Sequence, residues 1–225
     1  IFSGAIGTID GNPEEGDVVE VLDSTGNFLA LGHYQIGSIA IRVLSFQPCA
    51  INQRFYSERI MQAYRLRQQM GLADSEHTNA FRLIHGEGDG LPGLVIDFYN
   101  GTAVVKMHSV GMYKDRGYIE KALIDVIGDK LKAIYNKSEG TLPYKAELGC
   151  NNGYVYGSCG DMVAMENGLK FYPDWEKGQK TGFFVDQRDN RALIEQYRQG
   201  RNVLNMFCYT GGRSFYAMRG GAQKV

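Results

Sequence analysis

Length, composition and charge exclude several protein classes. The chain has 225 residues, of which 44% are hydrophobic and 22% charged, as in ordinary soluble globular proteins. This length supports one large domain or two modest ones, with a core that needs no disulfides. The formal net charge of −1 excludes a protein that is basic all over. No apolar run reaches the ~18 residues of a membrane helix, and no signal peptide is recognisable, so we expect a cytoplasmic protein without membrane contact.

The first segment, residues 1–47, has the pattern of short strands. A hairpin turn is predicted at 24–27, between strands at 18–22 and 28–32. A helix is predicted over 53–70, because Asn52 can cap its start and Gly71 stands where a C-terminal glycine belongs. Together these elements predict a small β-barrel domain over residues 1–72.

The predicted helix carries an excess of basic residues. Against the single acid Glu58, it holds Arg54, Arg59, Arg65 and Arg67. A stripe of this kind fits contacts with RNA phosphates, for which Arg54 and Arg59 are the candidates. A solvated helix face gives the same pattern, so both interpretations stay open.

The middle of the chain predicts a second domain of the α+β class, over residues 73–175. A β-meander is expected at 80–110, with the hairpin signal Asn100-Gly101 inside it. A helix at 113–128, a strand at 131–137 and another hairpin at 167–168 follow.

The last segment, residues 176–225, has the pattern that opens a parallel α/β domain. It predicts a helix at 188–199, a strand at 202–207, a glycine turn at 208–212 and a helix from 214. This segment is also the electropositive part of the chain, with nine Lys and Arg against four Asp and Glu.

Two stretches in this segment could bind a ligand. The glycine turn could bring backbone N–H groups close to a ligand at a helix N-terminus, although an ordinary strand-to-helix connection looks the same. Residues 178–188, GQKTGFFVDQR, could hold a charged, planar ligand through a cation, stacked aromatics and polar edges. They could equally be a helix start above a buried phenylalanine pair.

The cysteines predict neither metal binding nor disulfides. None forms a C-x-x-C pair, and they do not group with the histidines at metal-ligand spacing. We therefore expect no metal site, and free buried thiols in a reducing compartment. The four are Cys49, Cys150, Cys159 and Cys208.

Four motifs stand in order along the chain: IFSGAI at 1–6, FRLIHGEGDGLPGLV at 81–95, GQKTGFFVDQR at 178–188 and VLNMFCYTGG at 203–212. Together they resemble the ribosomal RNA large-subunit methyltransferase I family of class I S-adenosylmethionine-dependent enzymes. The resemblance covers essentially the whole chain. It implies a multidomain α+β protein: an N-terminal PUA-like, RNA-binding barrel lacking its first residues, a central α+β domain, and the start of a Rossmann-like methyltransferase domain.

The resemblance also implies a cofactor, a partner and a site. The cofactor is S-adenosyl-L-methionine, and the partner is RNA, with large-subunit ribosomal RNA as the best candidate; a homodimer is a further expectation. The implied cofactor-binding residues are Lys180, Thr181, Phe183, Asp186, Gln187, Arg188, Asn205, Phe207, Tyr209, Gly211 and Gly212. One departure is Arg213, where family members usually have an apolar aromatic, and it puts the local packing in question.

The implied reaction is methylation of carbon 5 of cytosine in 23S ribosomal RNA. A cysteine thiolate adds to carbon 6, and carbon 5 then attacks the methyl group, with the base held out of its stack. The family's catalytic cysteine and its ribose-binding acid are expected beyond Val225, so Cys208 is not the nucleophile. The isolated chain should therefore bind cofactor weakly or not at all, with Trp175 as a fluorescence reporter.

Two alternative functions stay open. One is a non-catalytic RNA-binding module with a vestigial methyltransferase tail. The other is a methyltransferase with another RNA or another base as its target.

Overall fold

The computed structural model describes residues 1–143, 148–158 and 162–225. The N-terminal part is an antiparallel sheet of β1 (Val18–Leu22), β2 (Phe28–Tyr34) and β3 (Ile41–Ser45), in that order. The first hairpin closes at the predicted turn, where the Asp23 carboxylate accepts the backbone N–H groups of Thr25 and Asn27. A bridge between Phe2 and Ile39 adds the N-terminus to this unit.

A mixed sheet of five strands forms the middle of the molecule. Its strands lie in chain order, antiparallel except for the parallel pair β6 and β7. They are β4 (Ala80–His85), β5 (Leu94–Tyr99), β6 (Thr102–Met107), β7 (Ala133–Asn136) and β8 (Gly153–Gly157). The predicted meander is confirmed, and two helices make the crossover between the parallel strands.

One face of this sheet is covered by helices. They are α1 (Gln53–Gln69), α2 (Val110–Lys114) and α3 (Arg116–Ile127). Asn52 caps α1 as predicted, since its side chain accepts the N–H groups of Arg54 and Phe55. The apolar face of α1 packs into one core with α3 and the inner residues of β4, β5 and β6.

The opposite face of the sheet is covered at one end by the C-terminal part of the chain. This part comprises β9 (Ala164–Glu166), β10 (Leu169–Phe171), α4 (Arg188–Tyr197) and α5 (Gly212–Arg219). Tyr99 and Val104 of the sheet share a second core with Trp175, Phe183 and Tyr216. The hairpin signal at 167–168 is confirmed by the antiparallel pairing of β9 with β10.

Both cores continue across the domain boundaries that the sequence predicted at 72 and 175. The first core joins α1 to the central sheet, and the second joins the central sheet to residues on both sides of Trp175. The division into 1–72, 73–175 and 176–225 therefore stays a prediction.

The predicted strand at 202–207 is wrong. Among the residues that the structure describes, one parallel bridge forms there, between Asn202 and Lys224, and Leu204 and Phe207 are 84% and 94% exposed. A buried parallel strand needs hydrogen-bonded neighbours along its length. In the described part of the chain, residues 203–207 have such a neighbour only at Lys224, which accepts the N–H of Val203.

The expectation of buried thiols is also wrong for two cysteines. Cys49 and Cys208 are free but exposed, and Cys150 is half-buried and free. Cys49 lies between β3 and α1, and Cys208 lies in the glycine turn, where connecting segments run over the surface. Cys159 is outside the described residues. No helix of the described ranges has the length and apolar character to cross a membrane.

Candidate cofactor site

The two ligand-like stretches of the sequence face each other across one cavity of about 310 Å³. This volume lies at the lower end of the range for small-molecule sites. One wall comes from the segment before α4, and the other from the glycine turn before α5 and the first residues of that helix. The lining residues are Lys180, Phe183, Phe184, Asp186, Gln187, Arg191, Phe207, Cys208, Tyr209, Thr210, Gly212 and Arg213.

Direct contacts join the two walls. The Tyr209 hydroxyl donates to the carbonyl of Gly182 at 3.3 Å, and its ring meets that of Phe184 edge-on, with centroids 5.1 Å apart. The Arg213 guanidinium donates to Oε1 of Gln187 at 3.0 Å. Arg213, the departure from the family pattern, therefore links the two walls.

The first wall is anchored to the central sheet through Thr181, which is 1% exposed. Its hydroxyl donates to Oδ2 of Asp97 at 2.5 Å and lies 3.1 Å from the hydroxyl of Tyr99. Asp97 is fully buried and also accepts two hydrogen bonds from the guanidinium of Arg82, at 2.9 and 3.0 Å. Thr181 therefore ties the wall to the ion pair between half-buried Arg82 of β4 and buried Asp97 of β5.

The second wall leads into the N-terminus of α5. Gly211 has a φ of 73°, a left-handed conformation that glycine adopts without steric cost, and no side chain caps the helix there. Phe207 and Tyr209 also have positive φ angles, of 59° and 48°, which cost energy for residues with a side chain. This backbone presents the positive end of the helix dipole to the cavity.

A buried ion pair supports the base of the cavity. Arg191 of α4 donates to both carboxylate oxygens of Glu166, at 2.8 and 2.6 Å, and Tyr216 of α5 donates to the same carboxylate at 3.0 Å. A Cβ atom on Gly212 would lie 3.0 Å from Cδ of Arg191, so glycine allows α5 to approach α4 closely.

The structure brings together most of the predicted cofactor residues. Seven line the cavity: Lys180, Phe183, Asp186, Gln187, Phe207, Tyr209 and Gly212. The other four do not: Thr181 anchors the first wall, Arg188 contacts Asp189, Asn205 donates to Ser214, and Gly211 starts α5. Sequence reasoning missed Arg191, although its place one helical turn after Arg188 gave a weak signal.

The predicted RNA contacts lie elsewhere, on the helix-covered side of the central sheet. Arg54 and Arg59 line an open groove of about 1050 Å³ along α1. Arg54 is paired with Glu58 at 2.7 Å, while the Arg59 guanidinium lies 5.3 Å from the centre of the Phe55 ring. Arg67 does not belong to an exposed stripe, because it is buried and pairs with Asp89.

Metal-ligand geometry is not found in the described ranges, where no three His, Cys, Asp or Glu residues group around a common point.

Two family models match the chain, and the one that covers the cavity describes a class of methyltransferases. Residues 82–225 match the model of the S-adenosylmethionine-dependent methyltransferase family, and residues 1–46 match the PUA-like domain. The chain belongs to the S-adenosylmethionine-dependent methyltransferase family, and the predicted fold class is confirmed.

Curated relatives confirm the resemblance that the motifs indicated. Proteins named Ribosomal RNA large subunit methyltransferase I from Tolumonas auensis and Alteromonas mediterranea are 39% and 38% identical over the whole of this chain. The chain spans 57% and 56% of their lengths, respectively.

Solved structures share the fold. The crystal structure of SMU.776 complexed with SAH has a TM-score of 0.80 at 24% identity, covering 93% of this chain and 53% of that one. A Streptococcus mutans chain described as a SAM-dependent methyltransferase has a TM-score of 0.79, also at 24% identity, covering 95% of this chain and 55% of that one.

Proposed function

We propose that this chain is part of an S-adenosylmethionine-dependent methyltransferase of large-subunit ribosomal RNA. The observation that carries the proposal is the cavity in which residues 180–187 meet residues 207–213. Relatives that carry the name of this activity support the same function. Ribosomal RNA as substrate also makes the cytoplasm the proposed location, and a homodimer stays a prediction.

The cavity residues fit the chemical groups of the cofactor. The Lys180 amine lies 4.7 Å from the centre of the Phe184 ring and can pair with the methionine carboxylate. Phe184 and Tyr209 offer aromatic surface for a planar group, and the uncapped N-terminus of α5 offers backbone donors. When bound, the cofactor supplies an electrophilic methyl group, and these residues hold and orient it.

For the target we propose carbon 5 of cytosine in 23S ribosomal RNA, attacked with the help of a cysteine nucleophile. We place this cysteine in the part of the longer relatives that the chain does not cover. Cys208 is exposed in the turn that lines the cofactor cavity, which suits a backbone role better than addition to a base. The 225-residue chain alone should therefore transfer no methyl group.

The first experiment is to sequence the gene past codon 225 and to express the whole reading frame. The product is incubated with labelled S-adenosylmethionine and unmodified large-subunit ribosomal RNA, and the methylated nucleoside is identified by mass spectrometry. We expect 5-methylcytidine. A different methylated base would support methyltransferase activity but would refute carbon 5 of cytosine as the target. RNA binding without transfer would favour the alternative function, a non-catalytic RNA-binding module.

A matched pair of lysine variants tests the cavity itself. In the same product, Lys180→Ala should weaken binding of S-adenosylhomocysteine by about 10- to 150-fold, because a charge-assisted hydrogen bond contributes about 1.5–3 kcal/mol. Lys177→Ala is the control, since Lys177 is exposed and lies outside the cavity. Binding is measured by calorimetry, and equal losses for both variants would argue against the proposed site.

A further inference from the structure

The face of the central sheet that carries the C-terminal part of the chain is only half covered. At one end, Tyr99 and Val104 are buried under the second core. Two residues beyond Val104 on β6, Lys106 is paired in register with Val95 of β5, and both residues are only half-buried. Side chains two residues apart on a strand share a face, so Lys106 lies on this face, beyond the covered end.

Basic side chains form a row across this open end. His85 on β4 is paired with Val95, which is paired with Lys106 on β6. Lys137 follows the last residue of β7, one step after the pair Val105 and Asn136. Paired residues point to the same face of a sheet, so His85, Lys106 and Lys137 lie in one row, roughly 14 Å long at ~4.8 Å per strand.

The row leads from the N-terminal sheet to the cofactor cavity. On the side of the N-terminal sheet, Arg42 of β3, which pairs with Glu87 at 3.4 Å, lies beside Gly93 just before β5: a Cβ atom on Gly93 would be 3.8 Å from its Cδ. At the other end, the Lys137 amine donates to the carbonyl of Gly178 at 2.6 Å, in the loop that carries Lys180. The basic surface therefore connects the PUA-like unit with the wall of the cavity.

The lysines of this surface have no acidic partner in the part of the chain that the structure describes: no carboxylate lies within 4.0 Å of Lys106, Lys137 or Lys180. The acids whose charges act on these lysines also bond to other groups. Asp97 holds Arg82 and Thr181, the side chain of Asp174 accepts a backbone N–H, and that of Asp186 accepts the side chain of Gln187.

The charges on this surface repel one another. Burial lowers the pKa of Lys106, and the charge of Lys180 lowers it further against the attraction of Asp97. Burial and the charge of Lys106 lower the pKa of Lys137, against Asp174. Holding like charges close together without partners is unfavourable. An anion bound between these lysines would therefore reduce their repulsion.

We propose that Lys106 and Lys137 bind backbone phosphates of the RNA substrate and lead the strand from the PUA-like unit to the cofactor cavity. This inference rests on the proposed function. An extended row fits a polyanion better than a single phosphate, which could contact only part of it. Arg54 and Arg59 lie on the helix-covered side of the sheet, so RNA bound there would approach the cavity less directly.

The test measures the affinity of the 225-residue chain for a fluorescently labelled single-stranded RNA of twelve nucleotides over a range of salt concentrations. Each lost phosphate contact should reduce the slope of log K against log salt by about 0.7. K106Q/K137Q should therefore lose about 1.4 from the slope and bind about 25-fold more weakly at 0.1 M salt. K121Q/K170Q is the control, because it removes the same charge from two exposed lysines outside the row.

Two further arms separate the alternatives. K106R/K137R keeps both charges and should keep the slope, which distinguishes charge from a change in folding. Titration with inorganic pyrophosphate tests a free phosphate compound as the ligand. Pyrophosphate binding that depends on the lysines, with unchanged RNA affinity, would overturn the inference.

Equal RNA affinity in wild type and K106Q/K137Q would also overturn the inference. The proposed function would not be affected, because the cofactor titration and the methyl-transfer assay test it separately. Absence of RNA binding by the wild-type chain would overturn the inference. The proposed cofactor site would still be tested by the binding of S-adenosylhomocysteine.

Discussion

The two walls of the candidate cofactor cavity differ in how the rest of the molecule supports them. Residues 180–187 are fastened to the central sheet by Thr181 and to the second core by Phe183. Residues 202–210 lie largely on the surface, with two positive φ angles and, among the residues that the structure describes, one β-bridge, between Asn202 and Lys224. A binding site can thus pair a rigid wall with one whose conformation depends on what packs against it.

The sharpest test of this difference is the same substitution in each wall. Phe183→Ala should destabilise the protein by about 3–5 kcal/mol, because the ring is 3% exposed and packs on Phe171. Phe207→Ala should change stability by less than about 0.5 kcal/mol, because that ring is 94% exposed. Urea unfolding, followed by the emission of the buried Trp175, measures both. Similar losses would refute the contrast between the walls.

A smaller loss of stability is expected when the ion pair that anchors the first wall to the central sheet is removed. Asp97→Ala should cost about 3 kcal/mol, since it leaves the partly buried Arg82 guanidinium without its partner. The control is Asp125→Ala on the exposed side of α3. Thermal and urea unfolding of the two variants should differ clearly, and a stable Asp97→Ala protein would show that the ion pair does not hold the wall.

The smallest loss of stability is expected when the Thr181 hydroxyl, which joins the first wall to the central sheet, is removed. Thr181→Val should cost about 1 kcal/mol, because the buried hydrogen bond to Asp97 and the contact with the Tyr99 hydroxyl are lost while the shape of the side chain is kept. The control is Thr25→Val, which removes a solvent-exposed hydrogen bond of 2.7 Å from the Thr25 hydroxyl to Asp23. It should change stability by less than about 0.5 kcal/mol. Identical unfolding midpoints for the two variants would contradict a structural role for Thr181.

Local signals in the sequence predicted most of the elements. The cap at Asn52 predicted α1, and the Asn100-Gly101 turn predicted the β5–β6 hairpin, because caps and tight turns are determined by a few neighbouring residues. The strand predicted at 202–207 failed for the opposite reason: its apolar pattern is local, but a strand forms only with a partner supplied by tertiary structure.

The site was predicted in part for similar reasons. The motifs at 178–188 and 203–212 identified both walls of the cavity, since each motif is continuous in the chain. Arg191 and the row around Lys106 were not found, because their neighbours come from distant segments. Glu166, which pairs with Arg191 at 2.6 Å, is an example: nothing local in the sequence indicates that contact.

The anchoring of Thr181 on Asp97 also has a consequence for the order of events during synthesis. Chains emerge from the ribosome N-terminus first, and early parts can fold before later ones exist. The sheet that ends with β8 at Gly157 precedes the first wall in the chain, so that wall has a finished surface to settle on as it emerges. The second wall follows about twenty residues later, so the first wall can settle on the sheet before the other half of the candidate cofactor site has emerged.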